Sequence, residues 1–149
     1  MKKEGNILLI GIGNSGRQDD GLGWAFLDSL GPELPSNIDV EYRYQLQIED
    51  AELISHYQKV YFIDAYKKLT PEGFFVTECF PKETHSFSSH ALPPETILFL
   101  AKNVYNKNPE SFILGISGES YQLEIGLTET ANSNLNKAVS HFCHDILIM

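Results

Sequence analysis

The chain has 149 residues, 42% of them hydrophobic, with two cysteines and a formal net charge of −9 at pH 7. That length suits one domain spanning 1–149, which at this size buries roughly two-thirds of its unfolded surface. Only 11 basic residues stand against 20 acidic ones. This argues against nucleic acid, which needs clustered Lys and Arg to displace counterions, and against anionic membranes.

Short apolar runs alternate with amphipathic stretches along the chain. The first run, Ile7-Leu8-Leu9-Ile10, belongs to a predicted strand β1 at 6–12 and is continuous enough to be buried on both faces of a sheet. A glycine-rich turn follows, and then helix α1 at 21–30. Strand β2 is expected at 38–44, helix α2 at 49–57 and strand β3 at 59–64, where Val60-Tyr61-Phe62-Ile63 gives a second central strand. GFFVTECF alternates after the turn Thr70-Pro71-Glu72-Gly73, so β4 at 73–80 is predicted to run antiparallel to β3. The irregular stretch from Pro81 to Pro94 contains His85 and His90, and loops of that length are more often functional than accidental. Helix α3 at 94–105, strand β5 at 111–117 and helix α4 at 129–147 complete the chain. This βαβα pattern predicts an α/β sandwich around a mostly parallel, mixed five-stranded sheet.

The loop after β1, Gly11 to Gly23, is the richest in chemistry. Gly11, Gly13 and Gly16 satisfy the spacing of a dinucleotide fingerprint, which brings backbone N–H groups and a helix N-terminus against a pyrophosphate. Here Arg17-Gln18-Asp19-Asp20 intervene before the helix, and two negative charges stand where phosphates would sit. One aspartate suffices to cap a helix, so the pair reads as one capping residue and one functional residue.

Asp64 ends an otherwise apolar strand, where an ionised carboxylate must be exposed, paired or metal-bound. Asp20, Asp64 and His90 thus fall where strand ends meet in a doubly wound fold, and together they form a ligand set for a first-row transition metal with positions left open. His141 and His144 lie three apart near the C-terminus, but no carboxylate or cysteine pair supports a metal there. They read as a surface helix with Phe142 and Cys143 facing the core. Ser86, Ser88 and Ser89 lack the Gly-x-Ser-x-Gly elbow of a serine hydrolase. Cys79 and Cys143 show no Cys-x-x-Cys spacing, and no signal peptide or apolar span of membrane length is read. Free thiols buried as small hydrophobes, in a cytoplasmic protein, are the expectation.

Gly11-Ile12-Gly13-Asn14, followed by Asp19-Asp20-Gly21-Leu22-Gly23, resembles the opening motif of the nickel-iron hydrogenase maturation endopeptidases. Phe62-Ile63-Asp64-Ala65 matches that family's apolar strand ending in Asp-Ala, and Ser88-Ser89-His90 its Ser-x-His loop. Gly115, Glu119, Ser120 and Ile125-Gly126-Leu127-Thr128 match its late motifs. The resemblance implies a three-layer αβα fold of the phosphorylase/hydrolase-like type and a cytoplasmic endopeptidase, aspartic-type or metal-assisted, that removes the C-terminal peptide from the precursor of a hydrogenase large subunit; a monomer is expected. It implies Asp20, Asp64 and His90 as contacts to nickel, which the precursor supplies and other divalent metals could replace. Asp20 and Asp64 would be catalytic, and Asn14, Gln45 and Glu49 would contact substrate. The chain departs from the family where Tyr44-Gln45-Leu46-Gln47-Ile48-Glu49 replaces an Asp-Gly-Gly-Thr-type turn. Gln45 then stands for an acid of the family and can hydrogen-bond a carbonyl but not act as a base. Three alternatives stay open: a metal-dependent peptidase or amidohydrolase with another substrate, a maturation partner that checks nickel without cutting, and a Rossmann-type nucleotide binder.

Overall fold

Ile7-Leu8-Leu9-Ile10 and Val60-Tyr61-Phe62-Ile63 form the inner part of a five-stranded sheet in the computed structural model, which describes residues 6–31, 34–83 and 92–146. The strands are β1 (Ile7–Ile12), β2 (Ile38–Arg43), β3 (Lys59–Tyr66), β4 (Phe74–Cys79) and β5 (Glu110–Ser117), in the spatial order β2-β1-β3-β5-β4. β1 pairs in parallel with β2 and β3, β3 pairs in parallel with β5, and β4 alone runs antiparallel. Helices α1 (Leu22–Leu30) and α4 (Glu129–His141) cover one face, and α2 (Asp50–Ile54) and α3 (Pro94–Tyr105) cover the other.

Alternation along the strands sorts the core into two layers. Leu8, Ile10, Val60 and Phe62 pack with Ile54, Ile97 and Leu98 on one side. Leu9, Tyr61 and Ile63 pack with Phe26, Leu135 and Phe142 on the other. Strands buried on both faces need helices on both faces, and the expected αβα sandwich with a mixed sheet is what forms.

Three expectations need correction. β4 keeps its antiparallel sense but pairs with β5, not β3. Both edges of β3 are taken by β1 and by the apolar β5, and β4, with Thr77 and Glu78 exposed, is left at the rim. α2 spans only Asp50–Ile54, because the next N–H groups of Ser55, His56 and Tyr57 bond three residues back, at 3.1–3.2 Å, and close the helix as a tightened turn. α4 ends at His141 and gives way to a wider π-turn, Phe142–Ile146, that keeps Phe142 in the core and leaves Cys143 exposed; Cys79 is buried as expected.

Candidate active site

The strand order reverses between β1 and β3, since the connection after β1 leads to β2 on one side while β3 returns on the other. Such a switch point splays the loops at the carboxyl ends of the strands and opens a crevice. The loop after β1 and the end of β3 face each other there. Gly23 lets α1 start close against both strands, because a β-carbon would lie 2.6 Å from the carbonyl oxygens of Ile12 and Ile63.

Asp20 sits in a 3₁₀ turn, Gln18–Gly21, folded back over the end of β1. The N–H of Asn14 donates to the carbonyl of Asp20 at 3.0 Å, and the N–H of Asp20 donates to Arg17 at 3.1 Å. Gly13, at φ 147°, approaches Asp20 so closely that a β-carbon would drive into the Asp20 carbonyl. The turn therefore depends on glycine at that position. Asp20 and Asp64 together line a cleft of about 480 Å³, with Tyr44, Gln45, Leu46 and Leu92 along its sides.

Both carboxyls resist ionisation. Burial raises the Asp20 pKa above the usual carboxylate range, although Lys67, Arg17 and a hydrogen bond from the Asn14 backbone act in the opposite direction. Asp64 is pushed up to about 7, chiefly by burial and further by the charge of Asp20, against the Ala65 N–H at 2.7 Å and the charge of Lys67. Two oxygen-donor groups that disfavour each other's charge suit a divalent cation or a shared proton. Gln45 adds a neutral amide to the same wall.

No protein-family model matches the chain, and no curated protein matches it. Solved structures do. With the hydrogenase maturating endopeptidase HybD from E. coli the TM-score is 0.73 at 22% identity, over 95% of this chain and 89% of that one. With the hydrogenase 2 maturation peptidase of a Thaumarchaeota archaeon it is 0.69 at 20% identity, over 97% and 99%. With the [NiFe] hydrogenase maturation protease HycI from Thermococcus kodakarensis it is 0.70 at 19% identity, over 91% and 88%. The fold is that of the hydrogenase maturation endopeptidases.

Within this maturation-endopeptidase fold, Asp20, Asp64 and Gln45 line one cleft; the two aspartates were expected together from their places after strand ends, and Gln45 from the resemblance. His90 lies outside the described residues, as do His85, Ser86, Ser88 and Ser89; Leu92, two residues after His90, lines the cleft. Among the described residues no group of three His, Cys, Asp or Glu forms a ready metal cluster. Glu49 is exposed at the start of α2 and does not line the cleft. The Asn14 side chain turns back on its own loop, its Oδ1 accepting from the Gly16 N–H at 2.8 Å. That bond, with Gly13 donating to Arg43 at 2.9 Å and Asn14 to Asp20, occupies the N–H groups a dinucleotide phosphate would need.

Asp19 corrects the capping reading. No side chain caps α1, which begins after Gly21. Asp19 instead is fully buried and accepts from the N–H groups of Glu119, Ser120 and Thr128 and from the Thr128 hydroxyl, at 2.7–3.0 Å. Burial alone would raise its pKa, but the bonds from Thr128, Glu119 and Ser120 together hold it below the usual range. His141, read as lacking a carboxylate neighbour, pairs with Asp145 at 2.8 Å, one turn on.

Two neighbours of the cleft were not singled out from the sequence. The Lys67 ammonium lies 5.3 Å from the centre of the Tyr121 ring. Burial raises the Tyr121 pKa, and the charges of Asp19, Asp20 and Asp64 raise it further. A basic residue three positions past the strand-end Asp64 was a signal available for Lys67. For Tyr121 there was none, because only the fold brings the loop after β5 to this edge.

Proposed function

We propose that the chain is a maturation endopeptidase that removes the C-terminal peptide from the nickel-loaded precursor of a nickel-iron hydrogenase large subunit. The supporting observation is the pair Asp20 and Asp64, delivered by different elements to one cleft at the switch point, with Asp64 pushed up to about 7. The endopeptidase names borne by its structural neighbours supply the reaction class.

In this reading the cleft receives an extended substrate segment between the β1 loop and Gln45. Asp64 divides between its two protonation states near neutral pH, so it accepts a proton from an attacking water and can return one to the leaving amine. Asp20 keeps the water oriented. Gln45 donates from its amide to the scissile carbonyl and holds it in register. Asp20, Asp64 and His90 are the residues that would add to the coordination of the nickel carried by the precursor. When bound, that ion supplies Lewis-acid polarisation worth several kcal/mol. The two carboxylates fit such a cation because each gains from neutralising the other's field.

Incubating the purified chain with nickel-loaded precursor, followed by intact-mass measurement, tests the proposal. A shortened precursor with a released C-terminal peptide is the expected result. A stable complex with an uncut precursor would make the protein a non-cleaving partner. Turnover of unrelated peptides with a tightly held ion of its own would make it a different metallopeptidase.

A further inference from the structure

Ile125 is 87% exposed and Leu123, two residues before it, is 80% exposed. Such side chains are unremarkable on a loose loop, but this loop is fastened along its length. The buried Asp19 carboxylate takes four hydrogen bonds from Glu119, Ser120 and Thr128. Gln18, at a positive φ of 50°, accepts through Oε1 from the Ser120 hydroxyl at 2.6 Å and from the Gln122 N–H at 3.0 Å. Its own N–H donates to the Glu124 carbonyl at 2.8 Å, and the Glu124 N–H donates to Gly16 at 3.0 Å. An ionised carboxylate taken out of water costs several kcal/mol unless its hydrogen bonds are complete. Here the bonds hold a loop rigid while two large apolar side chains point outward.

A pair of aromatic rings links that surface to the cleft. A groove of about 260 Å³ runs between the loop and α1, with Gln18, Trp24, Ile125 and Leu127 on its walls. Trp24 stands 5.1 Å, centre to centre, from the ring of Tyr44, which itself lines the cleft and is 70% exposed. Glu119 and Glu124 on the loop, and Glu129 just after it, are exposed. A second copy of this chain would bring a surface of net charge −9 against that acidic rim, which disfavours self-association.

We infer that residues 119–127 form a preorganised docking arm that receives an apolar projection flanked by Lys or Arg on the folded surface of the protein substrate, away from the bond to be cut. The inference rests on the endopeptidase reading. Holding the arm rigid before contact removes the ordering cost that a mobile loop would incur on binding. Apolar contact supplies affinity, and the acidic rim supplies orientation and a faster encounter.

The test is steady-state processing of the nickel-loaded precursor by the wild-type chain and by the Leu123→Ser, Ile125→Ser double variant, at low and high salt. Both side chains are exposed, so equal urea midpoints are expected and verify folding. The expected result is a KM raised about tenfold or more with kcat within about twofold. Glu124→Lys, which keeps the apolar contacts, is expected to raise KM at low salt and to lose that effect at high salt. An unchanged KM in the double variant overturns the docking arm alone. A wild-type dimer in sedimentation that the double variant dissociates assigns the arm to a second copy and also overturns the proposal. A wild-type chain that leaves the precursor uncut overturns the endopeptidase reading, and the arm's substrate with it.

Discussion

Asp64→Asn separates what the cleft costs in stability from what it does in chemistry. The substitution keeps the shape and keeps an oxygen for the Ala65 N–H, which Asp64 accepts at 2.7 Å. It removes a carboxyl whose pKa is raised from 3.8 to about 7, first by burial and then by the charge of Asp20. A pKa higher in the folded state than in the unfolded one means that the folded protein binds more protons between those two values. The stability this group contributes is therefore complete below about pH 4 and is lost as pH rises through about 7. At about 1.36 kcal/mol per pH unit, the full displacement amounts to about 4 kcal/mol, and water entering an open cleft reduces it to roughly 2–4 kcal/mol. The variant escapes that loss. Urea unfolding of both proteins, with chelator present, from acid to mildly alkaline pH is the assay. Near pH 4 the two should be almost equal. By pH 8 the variant should be the more stable by the amount above, while leaving the precursor uncut. A stability difference that does not change with pH, or a wild type that gains on the variant as pH rises, would refute the account of a strained Asp64.

Asp20→Asn and His90→Ala should each abolish precursor trimming while leaving the chain folded, with the Asp20→Asn midpoint at neutral pH no lower than wild type because a carboxyl with a raised pKa is removed; normal processing by His90→Ala would remove that residue from the site. Nickel added to the isolated chain should bind weakly and more tightly at pH 8 than at pH 6, because Asp64 must give up its proton first. Calorimetry showing the same affinity at both values would contradict that coupling. Asp19→Ala should cost about 3–5 kcal/mol, since it leaves the donors of Glu119, Ser120 and Thr128 unpaired in the interior. Its pKa is lowered, so its contribution is full above about pH 4 and is lost as pH falls through the lowered value; the wild type and the variant should converge in acid.

The sheet was legible because its strands announce themselves by composition. Val60 to Ile63 has no polar residue to place on a solvent face, and a strand of that kind must be central. Which strand β4 joins was not legible, because pairing is decided by competition for edges, and β5 outbid it with Leu114 and Ile116, both buried. The end of α4 escaped notice for a related reason: Phe142 is drawn into contact with Phe26 and Tyr61, and the turn widens into a π-turn to allow it. Asp64 was found because an acid at the end of an apolar run is conspicuous, and Asp20 because two adjacent acids stand where a glycine-rich loop meets a helix. Gln45 came from its place in the family pattern, and Lys67 and Tyr121 came from neither source.

The two adjacent aspartates show most plainly why local sequence could identify the loop and misassign half of it. Both follow the same glycine-rich turn, and both were candidates to cap the same helix. The backbone turns so that one side chain points into the body of the protein and the other into the cleft. Asp19 meets three N–H groups and a hydroxyl from residues about a hundred positions away, and so stays ionised at no exposure to water. Asp20 meets Asp64 across the cleft and is made less acidic by its burial. The same residue type therefore has opposite pKa shifts one position apart, because its partners come from different distances along the chain. An anchor that fixes Asp19 also fixes the carbonyl of Arg17 and the turn on which Asp20 stands, so the structural aspartate sets the direction in which the functional one faces. Loosening Asp19 should therefore lower kcat through Asp20 before it unfolds the protein, and Asp19→Asn, whose one remaining oxygen placed at Oδ2 keeps three of the four donors and leaves the Thr128 N–H facing an NH2 group, is the variant in which the two effects separate.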